Sequence, residues 1–294
     1  MDTAAATSSE SVKDRIARTY ATLSEAQRQF ADLTLGEPLF VARAPMQAAA
    51  SRIGVSVATA NRFARMLGYV GYPEFRSALI ESFESVLSSV ERMESSLHDD
   101  QGEVPSIVSS ALAGIERNLE ATRNSLEPAV LEQAVKMIVE SRRRFVVGFE
   151  RAAHLSAILA SELNMRCGNT ESMANVDGAV GAAMRLHDFD ERDLIIATVF
   201  PRYFRETVDI VRLAKRHGIK VLAITDSPRS PIASMADACI YVVAERTLGS
   251  SSDASVLAVM EALVAAVTVK VPNASERYRS LTQAALDWYA MPEC

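Results

Sequence analysis

Through roughly the first eighty residues the apolar positions recur at helical spacing; from Pro128 onward they gather into short solid runs separated by further helical stretches. Val12, Ile16, Tyr20 and Leu23 mark one helical stripe. Ser24-Glu-Ala-Gln27 has the pattern of a capping box that opens another, with Phe30 and Leu33 on its inner face. Met46, Ala49, Ala50 and Ile53 then stand at i, i+3, i+4 and i+7, with Pro45 suited to the first turn and Gly54 to a left-handed stop. Ser56 is placed to cap the next helix, in which Ala60, Phe63, Ala64 and Leu67 repeat the same spacing before Gly68 ends it. Two short amphipathic helices joined by a tight turn form a helix-turn-helix, and a purely structural helical hairpin has the same pattern. The second helix turns Ala58, Thr59, Asn61, Arg62 and Arg65 outward. These small, hydrogen-bonding or cationic groups suit a major groove.

Residues 82 to 127 read as two helices flanking a polar HDDQGE loop, a connector or part of a dimer interface. Beyond Pro128 a helix stripe (Leu131, Ala134, Val135, Ile138) leads into RFVVGF, a short β-branched and aromatic run. HLSAILASELNM is helical, DLIIATVF (193–200) a second strand, 205–217 a helix, IKVLAIT (219–225) a third strand and CIYVV (239–243) a fourth. Apolar strands alternating with helices predict a parallel sheet covered on both faces. The predicted fold class is thus two domains: an all-α helix-turn-helix domain and an α/β domain with a parallel sheet flanked by helices. Ligands of such sheets bind beyond the carboxyl ends of the strands. That rule selects three loops, 148–154, 200–207 and 225–230, each preceding or opening a helix whose unpaired N–H groups favour an anion.

Charge changes this picture locally. The 294-residue chain carries a net −6, which excludes a polyanion binder by average charge, yet between Val41 and Ile80 five arginines face one acid, Glu74. Such a patch is what phosphate contact needs, and it is also what a solvated helix face looks like. Three scattered cysteines without a CxxC predict neither a disulfide framework nor a zinc site, and a cytoplasmic location. The opening MDTAAATSSE reads as a disordered tail without signal-peptide character. The longest apolar run, Ala254 to Val271, contains Glu261 and reads as a buried helix rather than a membrane span. No metal-ligand cluster, P-loop, nucleophile elbow or GxGxxG occurs, so no cofactor or metal is expected. Glu150, Glu206 and His154 lie near the predicted loops but form no acid/base pair by spacing, which argues against an isomerase.

VSVATANRFARMLGYVGYPEFRSAL resembles the DNA-binding domain of the MurR/RpiR family of bacterial transcription regulators. The shared features are the Val-Ser turn, a Thr at the third helical position, an Arg-Phe pair, and the exit Leu-Gly, aromatic, Gly, aromatic, Pro. The resemblance implies a second, sugar isomerase (SIS) domain. DLIIA, AKRHG and ITDSPRSPIA are similar to that domain across roughly residues 125–270. It also implies a domain plan of 1–82 (DNA binding), 83–124 (helical linker) and 125–294 (ligand sensing and dimerisation). By the same resemblance Ser56, Thr59, Asn61, Arg62 and Arg65 face double-stranded operator DNA in a homodimer or homotetramer. The sequence departs from the family in its loops. The usual serine/threonine phosphate loops are replaced by GFER and FPRYFRET, which put Arg202, Tyr203 and Arg205 beside Thr207. Guanidinium forks suit a sugar phosphate or a carboxylate effector; solvated loop or subunit-contact residues read the same way. Ser227, Ser230 and Ser250–Ser252 are further candidate ligand hydroxyls, or turn formers. The alternatives kept beside a ligand-responsive regulator are an SIS-type isomerase-like enzyme and a sugar-binding regulator acting by protein contact without DNA.

Overall fold

The computed structural model describes residues 12–81, 103–172, 178–246 and 251–288. The expected disordered tail, the helix expected after residue 82 and Ser250 lie outside the described residues. The chain falls into two compact units, Met1–Ser89 and Val90–Cys294.

The first unit is all-α: α1 (Val12–Thr19), α2 (Glu25–Gly36), α3 (Pro38–Arg43), α4 (Met46–Arg52), α5 (Val57–Met66) and a helix over 72–81, α6. The capping box forms, with the Ser24 N–H donating to Gln27 Oε1 at 2.9 Å. Short α3 was not legible because its six residues carry less than two turns of periodicity. The stripes converge on an aromatic core in which Phe30, Phe63 and Phe75 are each fully buried. The Phe63 ring lies tilted 5.3 Å from that of Phe30 and edge-on 5.6 Å from that of Phe75, and Tyr72 lies 5.7 Å from Phe75. Such pairs add roughly 0.5–1.5 kcal/mol each beyond burial. Gly68 (φ 90°) stops α5 in the left-handed region, where the Tyr69 N–H can reach back to the Ala64 carbonyl at 3.1 Å. A side chain there would be strained, so the glycine fixes where the aromatic exit begins.

The second unit is α/β. It contains α7 (Val104–Ser125), α8 (Pro128–Glu140), β1 (Arg144–Val147), α9 (Arg151–Cys167), β2 (Thr170–Ser172) and α10 (Gly178–Leu186). There follow β3 (Leu194–Thr198), α11 (Arg205–Arg216), β4 (Lys220–Thr225), β5 (Ala238–Tyr241), α12 (Asp253–Lys270) and α13 (Ala274–Ala284). All neighbouring strands pair parallel, in the order β2-β1-β3-β4-β5. The four strands read from sequence are present, and β2 adds a fifth at the edge. It escaped notice because Thr-Glu-Ser is short and polar.

Side chains alternate between two cores. Val146, Ile196, Leu222 and Ile240 face α8, α9 and α12, whereas Phe145, Ile195, Ala197, Val221 and Ala223 face α10 and α11. α12 is apolar nearly all round and packs Val256, Met260, Leu263 and Val267 into the first of these cores. Among the described residues no single helix is long and apolar enough to cross a membrane. α7 is tied to this unit by Asn118 Nδ2 donating to the Glu245 carbonyl (2.7 Å) and by Thr122 Oγ1 accepting the Val243 N–H (2.9 Å). Because the chain leaves β1 toward β2 on one side and leaves β3 toward β4 on the other, the loops leaving β1 and β3 diverge and open a crevice between them.

Candidate functional site

In the helical unit, α5 begins at Ser56, whose Oγ accepts the Thr59 N–H at 3.1 Å and lies 2.9 Å from Thr59 Oγ1. Thr59 is 8% exposed, so the outward position expected for it is corrected: the side chain is buried and its hydroxyl is part of the cap. Ser56, Ala58, Arg62 and Arg65 are exposed, together with Val57 and Met66. Asn61 is half-buried and structural as well as outward: its Oδ1 accepts the Tyr72 N–H at 3.0 Å across the aromatic exit. Arg65 Nε donates to the Val70 carbonyl at 3.1 Å, and the Val70 N–H donates to Glu74, so this exit is held from both sides. The basic patch divides accordingly. Arg52 pairs with Glu37 at 3.2 Å, and Arg76 Nε donates to the Ala42 carbonyl at 3.0 Å. Arg62 and Arg65 are the arginines of α5, and both stand exposed on its outward face.

In the α/β unit, the β1 and β3 loops meet the start of α12 around a small cleft of ≈ 40 Å³. Arg202 and Thr207 line it, as expected, with Thr198, Ser251 and apolar walls that include Phe149, Phe200 and Phe204. The other expected ligand residues do not line the cleft, and Tyr203 and Arg205 are engaged elsewhere. Tyr203 Oη donates to both Asp226 carboxylate oxygens at 2.9 Å. Burial, then the negative charge of Asp226, push that phenol far above its ordinary value, so it stays a neutral donor. Arg205 Nε donates to Asp209 one helical turn on (3.3 Å), a half-exposed i,i+4 pair. Ser227 stands in the β4 loop, and Ser230 beside it is buried at 4% exposure.

Residues that sequence reasoning missed complete the cleft. Arg151, at the start of α9, forms an ion pair with Asp253, at the start of α12. Nothing in a linear reading joins two residues 102 positions apart. Glu150 (φ 54°) and Arg202 (φ 76°) both occupy the left-handed region without being glycine, at facing loops of the same cleft. Glu150 is spent as a helix cap, its carboxylate accepting the Arg151 N–H at 2.9 Å. The loop entry is tight: a Cβ on Gly148 would lie 2.6 Å from Ser156 Oγ and 2.7 Å from the Ala152 carbonyl oxygen. Among the described residues no group of three or more His, Cys, Asp or Glu side chains is placed to hold a metal ion.

Residues 10–86 match the model of the helix-turn-helix domain of the rpiR family, and residues 137–269 match that of the SIS domain. The transcriptional regulator HexR of Pseudomonas aeruginosa is 26% identical over 220 residues, covering 75% of this chain and 74% of its own. The sugar isomerase domain of an RpiR transcription factor from Sphaerobacter thermophilus superposes with a TM-score of 0.57 at 26% identity, covering 64% of this chain and all of that one. The NanR protein of Vibrio vulnificus, solved in complex with ManNAc-6P, shares the fold at 18% identity with a TM-score of 0.58, over 95% of this chain and 99% of its own.

Proposed function

We propose that this chain, which belongs to the rpiR family of helix-turn-helix transcriptional regulators carrying an SIS domain, binds operator DNA through the outward face of α5 and responds to a small anionic metabolite held at the β1/β3 cleft. The observation that carries the DNA reading is the face itself. Ser56, Ala58, Arg62 and Arg65 are exposed on a helix whose opposite side is locked by Phe63 into a fully buried aromatic core. A rigid helix presenting small and cationic groups suits entry into the major groove. Of the five expected contacts, Ser56, Arg62 and Arg65 are assigned to DNA directly. Asn61 is assigned a double role, and Thr59 positions the helix through the Ser56 cap.

The effector reading rests on the place of the cleft at the sheet's switch point and on Arg202 and Thr207 in its wall. A sugar phosphate or a carboxylate suits these groups; NanR, of the same fold, was solved with a phosphosugar. Catalysis is not part of this reading. Glu150, the nearest candidate base, caps α9, and His154 and Glu206 are exposed. In this reading residues 1–82 bind DNA, 83–124 link, and 125–294 sense the effector and form a cytoplasmic homodimer or homotetramer. Two-fold symmetry then matches paired half-sites.

The test is selection of genomic fragments by the purified protein followed by sequencing. Enrichment of a few palindromic sites is expected. Retention no better than that of a chain lacking residues 1–80, with and without a metabolite extract, overturns the reading. On an enriched site, Arg65→Ala weakens binding to all sequences and makes the salt slope shallower by about one.

A further inference from the structure

We propose that Arg151 and Asp253 form a charge latch across the β1/β3 cleft, and that the effector opens it as an oxyanion, its carboxylate or phosphate group taking the place of the Asp253 carboxylate on Arg151. This rests on the reading of the cleft as the effector site.

Four observations carry it. First, the pair joins two walls of the same cleft, the β1 loop and the start of α12. Its side chains are 40% and 46% exposed, so it stands at the mouth, where an ion pair contributes little to stability and a change of partner is cheap. Second, the space behind it is ≈ 40 Å³. Ordinary small-molecule pockets measure about 300–1,000 Å³, so the closed cleft is too small to enclose a whole metabolite until its walls part. Third, the cleft is built for a polar guest. Thr198 and Thr207 are 0% exposed and line it, and their hydroxyls have no hydrogen-bond partner. A buried hydroxyl left unpaired is costly and calls for an explanation; here a ligand oxygen supplies it. Fourth, Arg151, Thr207 and Asp253 lie in the first turns of α9, α11 and α12. Three helix starts converge on one small space, where unpaired N–H groups favour negative charge.

The exchange conserves charge. Arg151 trades one carboxylate for another oxyanion, and Asp253, already half in water, turns outward while still serving the N-terminus of α12. The guest is therefore an anion of the same sign as Asp253. The walls of Phe149, Phe200 and Phe204 suit the uncharged remainder of the molecule. Apolar walls also keep the local dielectric low, which strengthens the guanidinium–oxyanion contact once formed.

The experiment is isothermal titration of the full chain with inorganic phosphate and, separately, with acetate, against sodium chloride at matched ionic strength. Amide exchange of residues 251–256 is followed alongside. If the latch is closed in about nine molecules of ten, Asp253→Asn tightens oxyanion binding about tenfold, and Arg151→Gln abolishes it. Exchange at 251–256 rises in Asp253→Asn and in the wild type on adding the anion. The probe bound more tightly identifies phosphate or carboxylate as the recognised group. Equal affinities in wild type and Asp253→Asn, binding retained in Arg151→Gln, or no binding of either probe by Asp253→Asn overturns the latch. Thr207→Val separates the two failures. If it weakens the anion while the latch variants do not, the cleft stands and the latch falls. If none of the three variants alters anion binding, the cleft reading falls too. DNA retention by the same preparations reports on the regulator reading separately.

Discussion

Removing the Asn61 side chain should unfasten the aromatic exit of the helix-turn-helix. Asn61 Oδ1 accepts the Tyr72 N–H at 3.0 Å, and Tyr72 is 2% exposed. In Asn61→Ala that N–H stays buried without a partner, at a cost of about 1–3 kcal/mol. The corresponding rise in the open population is roughly 5- to 150-fold, and the Tyr72 amide should exchange faster by that factor. Asn61→Asp keeps the acceptor and loses only the amide donors. Its Tyr72 exchange should stay within a few-fold of wild type, while the new negative charge on the outward side of α5 weakens DNA binding. The two variants thus separate bracing from groove contact. Residue-resolved hydrogen exchange on the full chain, with operator affinity measured in parallel, is the assay. Unchanged Tyr72 exchange in Asn61→Ala would refute the bracing argument; unchanged affinity in Asn61→Asp would remove Asn61 from the DNA face.

Gly148→Ala places a Cβ 2.7 Å from the Ala152 carbonyl oxygen, so the start of α9 must shift, and thermal melting should reveal a loss of about 1–3 kcal/mol; an unchanged melt contradicts that packing. Tyr203→Phe deletes the bond to Asp226, costing about 1–3 kcal/mol. It should leave the effector response intact, since the phenol is already engaged, and a folded but unresponsive variant would return Tyr203 to the ligand site. Asp193, 1% exposed, accepts from Arg142 at 2.9 Å and from the Asp190 N–H at 3.0 Å, and pairs with Arg143 at 3.0 Å. Burial alone would raise its pKa, but these donors outweigh it and hold the carboxyl below its usual value. Its stabilisation is therefore present above about pH 4 and lost as pH falls toward the depressed folded value. Urea midpoints between about pH 6 and 3 should fall less steeply in Asp193→Asn, and parallel profiles would refute the linkage.

The aromatic exit shows how one set of bonds serves fold and function together. Arg65 holds the Val70 carbonyl and Asn61 holds the Tyr72 N–H, so the far end of the Gly68–Gly71 turn is tied back to α5 by two bonds. A side chain at Gly71 would come 3.0 Å from Asn61 Oδ1, which keeps that turn close against the helix. The exposed groups of α5 are thereby carried on a backbone with little freedom to move, and rigidity of this kind lowers the entropy lost on docking.

Local periodicity was enough to determine four helices of the first unit (α1, α2, α4 and α5), four of the five strands, the parallel α/β plan and the three loops at the strand ends. Each depends on residues at most a few turns or one strand apart. Apolar spacing reports which face is buried whatever buries it. The outward positions of Arg62 and Arg65 were legible on that ground, and Arg202 and Thr207 were legible as loop residues. Tertiary structure alone decided the rest. Tyr203 is turned away because Asp226 comes from the next strand's end. The Arg151–Asp253 pair exists only because α12 returns to the β1 loop after 102 residues. Partner choice among polar side chains is set by where the backbone brings them, over distances that no sequence spacing encodes.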